Sequence, residues 1–157
     1  MFVNYEIDGN LAIKVADLKK MLFATVNEFT EKSVLQFKTD LNAMVENQQE
    51  FYPIIIDSYG GYVHSLISMV DMIQNLQKPV VTIALGKAMS CGSVLLACGT
   101  KGYRYAANSS RIMIHDVSGI AFGKESEVAA SAKEITFLQD WLFNLLDEKA
   151  ERKNDYF

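Results

Sequence analysis

With 157 residues the chain is the size of one domain and long enough to bury a core without disulfides or metals. Half of it is apolar and only 22% is charged, so apolar side chains remain for a partner surface once one core is filled, which favours an oligomer. A net charge of -4 with scattered Lys and Arg excludes the basic footprint of a nucleic-acid binder.

Met1-Phe2-Val3-Asn4-Tyr5-Glu6 has no basic start, apolar stretch or cleavage site of a signal peptide, and no apolar run is long enough to span a bilayer. A soluble, cytoplasmic protein with no membrane partner is expected. Val3, Tyr5 and Ile7 alternate with polar residues, Asp8-Gly9 supplies a tight turn, and Leu11, Ile13 and Val15 alternate again, predicting a β-hairpin. A short strand, Leu22 to Val26, precedes a helix from about Glu31 to Glu46 whose stripe is Val34, Phe37, Leu41, Met44 and Val45. Strand and helix then alternate. The apolar run Pro53 to Ile56 breaks at Asp57-Ser58-Tyr59-Gly60-Gly61, and a helix follows with Val63, Leu66, Ile67, Val70, Ile73 and Leu76 on one face. Lys78-Pro79 leads into a second strand, Val80 to Leu85, ending at Gly86. Ser90 to Ala97 reads as a short apolar helix closed by Gly99, and Tyr103 to Ala106 and Arg111 to Ile114 as short strands.

A glycine-bearing segment leads to a long helix from Ser126 to about Lys153. Val128, Ile135, Leu138, Leu142 and Leu145 mark one side of it, while Phe137, Trp141 and Phe143 widen the apolar surface beyond a half-buried face. Either a subunit interface or another layer of its own domain must cover it. The βαβ succession predicts an α/β fold with a largely parallel sheet and helices on both faces. No repeat or linker divides the chain, so a single domain over 1–157 is expected.

Cys91 and Cys98 stand seven residues apart on the short helix, a rise of about 10 Å, too far for a disulfide. Two cysteines and two histidines at unrelated spacings form no metal-ligand pattern, and no cofactor is expected. In open parallel sheets ligands bind beyond the carboxyl ends of the strands. Three features fall there: Gly60-Gly61, the segment Gly86-Lys87-Ala88-Met89-Ser90-Cys91-Gly92, and His115-Asp116. Ser90 begins a helix behind small residues that allow a sharp turn and close substrate approach. A serine hydroxyl needs a base to take its proton, and His115 is the histidine at a strand end, whereas His64 lies on the solvent side of its helix. The oxyanion of such a reaction needs fixed donors. The Cys91 amide at a helix N-terminus and the Gly61 amide in an open turn are the candidates. Taken singly, a serine turn, a strand-end histidine and a glycine pair are more often structural than catalytic.

Together, in this order and at these separations, Asp57-Ser58-Tyr59-Gly60-Gly61, Gly86 to Gly92 and Arg111-Ile112-Met113-Ile114-His115 resemble the Clp protease proteolytic subunit, a member of the ClpP/crotonase fold. The resemblance runs from about Leu22 into the final helix, and the leading hairpin is similar to the family's axial loop. It implies a head over 21–125 and a handle over 126–157, with residues 1–20 as the loop. It also implies a serine endopeptidase cutting unfolded polypeptides in a homo-oligomeric chamber of stacked heptameric rings, fed by an AAA+ unfoldase. By resemblance Ser90 is nucleophile, His115 base, and Gly61 and Cys91 supply the oxyanion amides. An extended peptide would pair with Gly60, Tyr62 and Val63 on one side and with the edge from Ser118 and Gly119 to Gly123 on the other.

Two departures accompany it. Tyr59 stands where the family usually has proline. The family's third catalytic residue, an aspartate, lies beyond the final helix, and the sequence reaches Phe157 before that region, so a fragment of a longer product is expected. Asp116 is a poor substitute, since neighbours on a strand point to opposite faces, and Asp155 comes too early. Losing the acid costs about four orders of magnitude in turnover. Rival readings are a crotonase-type acyl-CoA enzyme, which needs neither Ser90 nor His115; a serine-lysine peptidase using Lys87 or Lys101; a non-catalytic ring subunit; and a Cys91-His115 thiol protease.

Overall fold

The structure, a computed structural model, describes residues 21–151; the expected N-terminal hairpin lies outside them. In chain order the elements are β1 (Ala24–Val26), α1 (Glu31–Glu46), β2 (Tyr52–Ser58), α2 (Val63–Gln74), β3 (Val80–Met89), α3 (Cys91–Ala97), β4 (Arg104–Ala106), β5 (Arg111–Met113) and α4 (Glu125–Ala150).

All strand pairings are parallel, in the order β1-β2-β3-β4 with β5 also on β3. This is the α/β architecture that the alternating pattern predicts. Strand β3 is its axis: Thr82 to Ala84 pair with β4 and Lys87 to Met89 pair with β5, so β4 and β5 follow one another along a single edge. Buried apolar positions on both faces of β2 identify it as an interior strand. Helix α1 starts on a capping box in which the Thr30 side chain accepts from the Ser33 amide and Ser33 Oγ from the Thr30 amide. Phe29, Phe37, Met44, Ile54, Ile56, Leu66, Met69 and Leu95 are fully buried and make the centre of the core.

Strand β3 corrects the sequence reading, because it does not end at Gly86 but runs on to Met89. Between the pairs Ile56↔Ala84 and Ser58↔Ala88, β2 advances by two residues and β3 by four, a bulge that restores pairing beyond the glycine. Gly86 sits in it at φ 84°, where a Cβ would lie 3.0 Å from Asp57 Oδ1.

Helix α4 is shorter than expected. It closes at Ala150, with Glu151 in the left-handed conformation. Here the Arg104 guanidinium donates to the Lys149 carbonyl at 2.7 Å, satisfying an end group that the helix leaves open, and Lys101 pairs with the Glu151 side chain. The first half of α4 is largely exposed, and a buried stripe begins at Leu138 and continues through Leu142, Leu145 and Leu146. Phe137 is exposed, while Trp141 and Phe143 pack partly against the core.

Both cysteines are free and buried. Burial pushes the Cys98 thiol up from 9.0 to about 12. The folded protein therefore keeps a proton that the unfolded chain releases near pH 9.0. The stabilisation is complete below that pH and is lost as pH rises towards the folded value, at no more than about 1.4 kcal/mol per pH unit. Urea midpoints should fall more steeply above pH 9.0 for the parent than for Cys98→Ala. Parallel slopes would exclude this contribution.

Among the described residues no helix is long and apolar enough to cross a membrane, and no cluster of His, Cys, Asp and Glu is arranged to hold a metal.

Candidate active site

Strand β2 delivers the chain into the turn Ser58 to Tyr62. Buried Ser58 receives the Gly60 amide on its hydroxyl at 3.0 Å. The Phe29 amide donates to the Gly60 carbonyl at 3.2 Å, and the Tyr62 amide donates to the Phe29 carbonyl at 2.8 Å. Because the peptides are trans, each carbonyl and the following N–H point oppositely. With the Gly60 carbonyl directed at Phe29, the Gly61 N–H faces away from it, and so does the Gly61 carbonyl, which accepts the Cys91 thiol at 3.3 Å. Gly61 thus presents its main-chain groups to the start of α3.

Ser90 is the single residue between β3 and α3. Its backbone lies at φ 53° and ψ -123°, a strained conformation for a residue with a side chain, of the kind that lifts a hydroxyl out of a strand-to-helix elbow. Hydrogen bonds hold it on both sides: its amide donates to the Met113 carbonyl at 2.9 Å, and its carbonyl accepts Ser93 Oγ at 2.7 Å. The glycine turn lies directly against it, since a Cβ on Gly60 would be 2.7 Å from that of Ser90.

Gly61, Val63, Ser90, His115 and Ser118 line one cavity of about 50 Å³, with Leu142, Phe143 and Leu146 of α4 on its apolar side. Ser90 and His115 face the same space, but no hydrogen bond joins them. Instead His115 Nδ1 lies 2.6 Å from the Asp116 carbonyl oxygen. A carbonyl only accepts, so a neutral ring carries its proton on Nδ1 and leaves Nε2 as the basic nitrogen. Asp116, expected on the far side, lines the same cavity, because β5 stops at Met113 and strand alternation stops with it.

The other expected site residues divide. Tyr62 is exposed beside the turn. The Cys91 thiol is buried, and burial raises its pKa, opposed in part by hydrogen bonds to the Gly61 backbone and the Ser90 side chain; it is a neutral donor holding the turn, not a thiolate nucleophile. Gly119 packs on α4, where a Cβ would meet Ile135 Cδ1 at 2.8 Å, and the Val117 amide donates to Gln139 Oε1 at 3.1 Å. These contacts seat the segment after His115 on the helix.

Neither lysine stands free as a base. Lys101 pairs with Glu151. Lys87 lies 2.6 Å from Asp57 and 4.5 Å above the Tyr59 ring, and its hydrogen bond to Asp57 raises its pKa, keeping it charged. Sequence reasoning missed this cluster and the roles of Phe29 and Ser93. Only Ser93, one helical turn beyond Ser90, left a local trace.

Residues 12–157 match the family model described as Clp protease. The chain is 40% identical over 105 residues to ATP-dependent Clp protease proteolytic subunit 1 of Chlamydia felis, covering 67% of this chain and 52% of that protein. It is 39% identical over 105 residues to proteolytic subunit 2 of Chlamydia abortus, covering 67% and 51%. It spans about half the length of these curated relatives. An α/β sheet that ends in a strained serine elbow, beside a glycine turn and a histidine, agrees with the match over most of the sequence: the chain belongs to the Clp protease family.

Proposed function

We propose that this chain supplies the peptidase chemistry of a Clp protease proteolytic subunit, a serine endopeptidase acting on unfolded polypeptide. The observation that carries the reading is the strained Ser90 elbow, packed against a turn whose Gly61 N–H faces the same helix start. Ser90 Oγ attacks the scissile carbonyl carbon and its proton passes to His115 Nε2. The oxyanion is met by the Gly61 and Cys91 amides, and the protonated imidazole returns the proton to the leaving amine. Water then hydrolyses the acyl-enzyme by the same route. For this the imidazole has to come within about 3 Å of Ser90 Oγ. Gly60, Tyr62 and Val63 offer main chain to an extended peptide, and Ser118 and Gly119 form the other side of its groove. The mechanism calls on no cofactor.

The wider setting belongs to the same proposal: a cytoplasmic homo-oligomer of stacked heptameric rings, with a head over 21–125, a handle over 126–157 and an AAA+ unfoldase feeding it. Exposed Ile112, Met113, Ile114 and Phe137, together with the projecting first half of α4, support a subunit interface there.

The test is treatment with a fluorophosphonate probe followed by intact mass measurement. One adduct on Ser90 is expected, absent in Ser90→Ala and formed at least about a thousandfold more slowly in His115→Ala. Absence of any adduct on the full-length protein would favour a non-catalytic ring subunit.

A further inference from the structure

The Ser90 elbow and the Gly61 turn sit on neighbouring strands just beyond the β3 bulge, so their spacing depends on how β2 and β3 are held where regular pairing is interrupted. Backbone pairing stops after Ile56↔Ala84 and resumes at Ser58↔Ala88. Across that gap Lys87 Nζ reaches Asp57 Oδ1 at 2.6 Å. Lys87 lies three residues before Ser90, and Asp57 four before Gly61. The same ammonium lies 4.5 Å from the centroid of the Tyr59 ring, the residue next to Gly60. Gly60 and Gly61 at φ 111° and 149° give the turn little stiffness of its own.

We infer that Lys87, bound to Asp57 and lying against Tyr59, is a positioning residue that clamps the Gly61 turn at its working distance from Ser90. This rests on the peptidase reading above for its consequence, though not for its geometry. The Lys87 side chain is 24% exposed and that of Asp57 47%, so the pair is partly shielded, and its ammonium has two partners that leave it little freedom. Without the charge the ring loses its anchor and the bulge its tie, and the donor amide drifts relative to the nucleophile. Small displacements of this sort act on turnover more than on binding.

The experiment compares Lys87→Met, Lys87→Arg, Asp57→Asn, Tyr59→Phe and Tyr59→Ala in the full-length assembled protein. It uses a fluorogenic short peptide, the fluorophosphonate probe and amide hydrogen exchange over residues 58–62. Lys87→Met and Asp57→Asn should lower kcat and the labelling rate about tenfold with KM within about twofold, and speed exchange over 58–62 at an unchanged unfolding midpoint. Lys87→Arg, which keeps the charge, and Tyr59→Phe, which keeps the ring, should stay within about threefold of the parent, whereas Tyr59→Ala should share the loss. Parent-like exchange and labelling in Lys87→Met would overturn the clamp, as would losses that merely follow a lowered unfolding midpoint. If the parent is not labelled at all, the peptidase reading fails instead, and exchange over 58–62 alone decides whether Lys87 holds the turn.

Discussion

Gly61→Ala is expected to lower peptide turnover by at least about a hundredfold, the scale of losing one oxyanion donor. The added Cβ would lie 2.5 Å from the Phe29 carbonyl oxygen and 2.9 Å from its nitrogen, at φ 149°. Both obstacles are main chain of a residue that is itself fully buried, so relief comes only by moving the turn. That motion displaces the Gly61 N–H from its place beside Ser90. Gly102→Ala is the matched control: it also has positive φ, at 85°, but nothing lies within 4 Å of the new Cβ, so turnover should match the parent. Steady-state assays on both variants, with circular dichroism to confirm folding, decide the matter. A folded Gly61→Ala protein within threefold of the parent would remove Gly61 from the mechanism.

Phe29→Ala should cost about 3 to 5 kcal/mol of stability, a large share of the roughly 5 to 15 kcal/mol that holds a domain folded. Phe29 has 0% of its surface exposed and lies three residues beyond the end of β1, so truncation leaves a cavity in the core. Its main chain also brackets Gly61 through the Gly60 carbonyl and the Tyr62 amide, and relaxation there should reduce Ser90 labelling even under folding conditions. Leu35→Ala, at a position 68% exposed, should change the urea midpoint little. A Phe29→Ala loss under about 1 kcal/mol would show that the core closes around the gap.

Most of the scaffold was legible from periodicity and end signals. Helix α1 begins and ends where its stripe from Val34 to Val45 places it, and the buried run of β2 could be seen between Pro53 and Asp57. The length of β3 was hidden because Gly86 and Lys87 look like a loop, and only pairing with β5 recovers them as strand. Ser90 was recognised as a helix start, but not as a one-residue elbow, since one of the bonds that hold it there comes from the Met113 carbonyl on a distant strand. The Lys87–Asp57 contact joins residues 30 apart in sequence, which no local pattern reports. The separation of Ser90 from His115 was equally hidden: beyond Met113 the chain follows Gln139 and Ile135 of α4 rather than a strand register.

The succession of β4 and β5 along one edge of β3 also divides the work of that strand in two. The first half of β3 has its partner at Arg104 to Ala106, whereas the second half has Arg111 to Met113. The Ser90 amide takes its strand partner from that second half, at the Met113 carbonyl, so the elbow lacks this restraint until β5 has docked. One half of β3 thus anchors the sheet and the other half anchors the serine, so a lesion confined to β5 should disturb Ser90 while leaving the pairing of β3 with β4 in place.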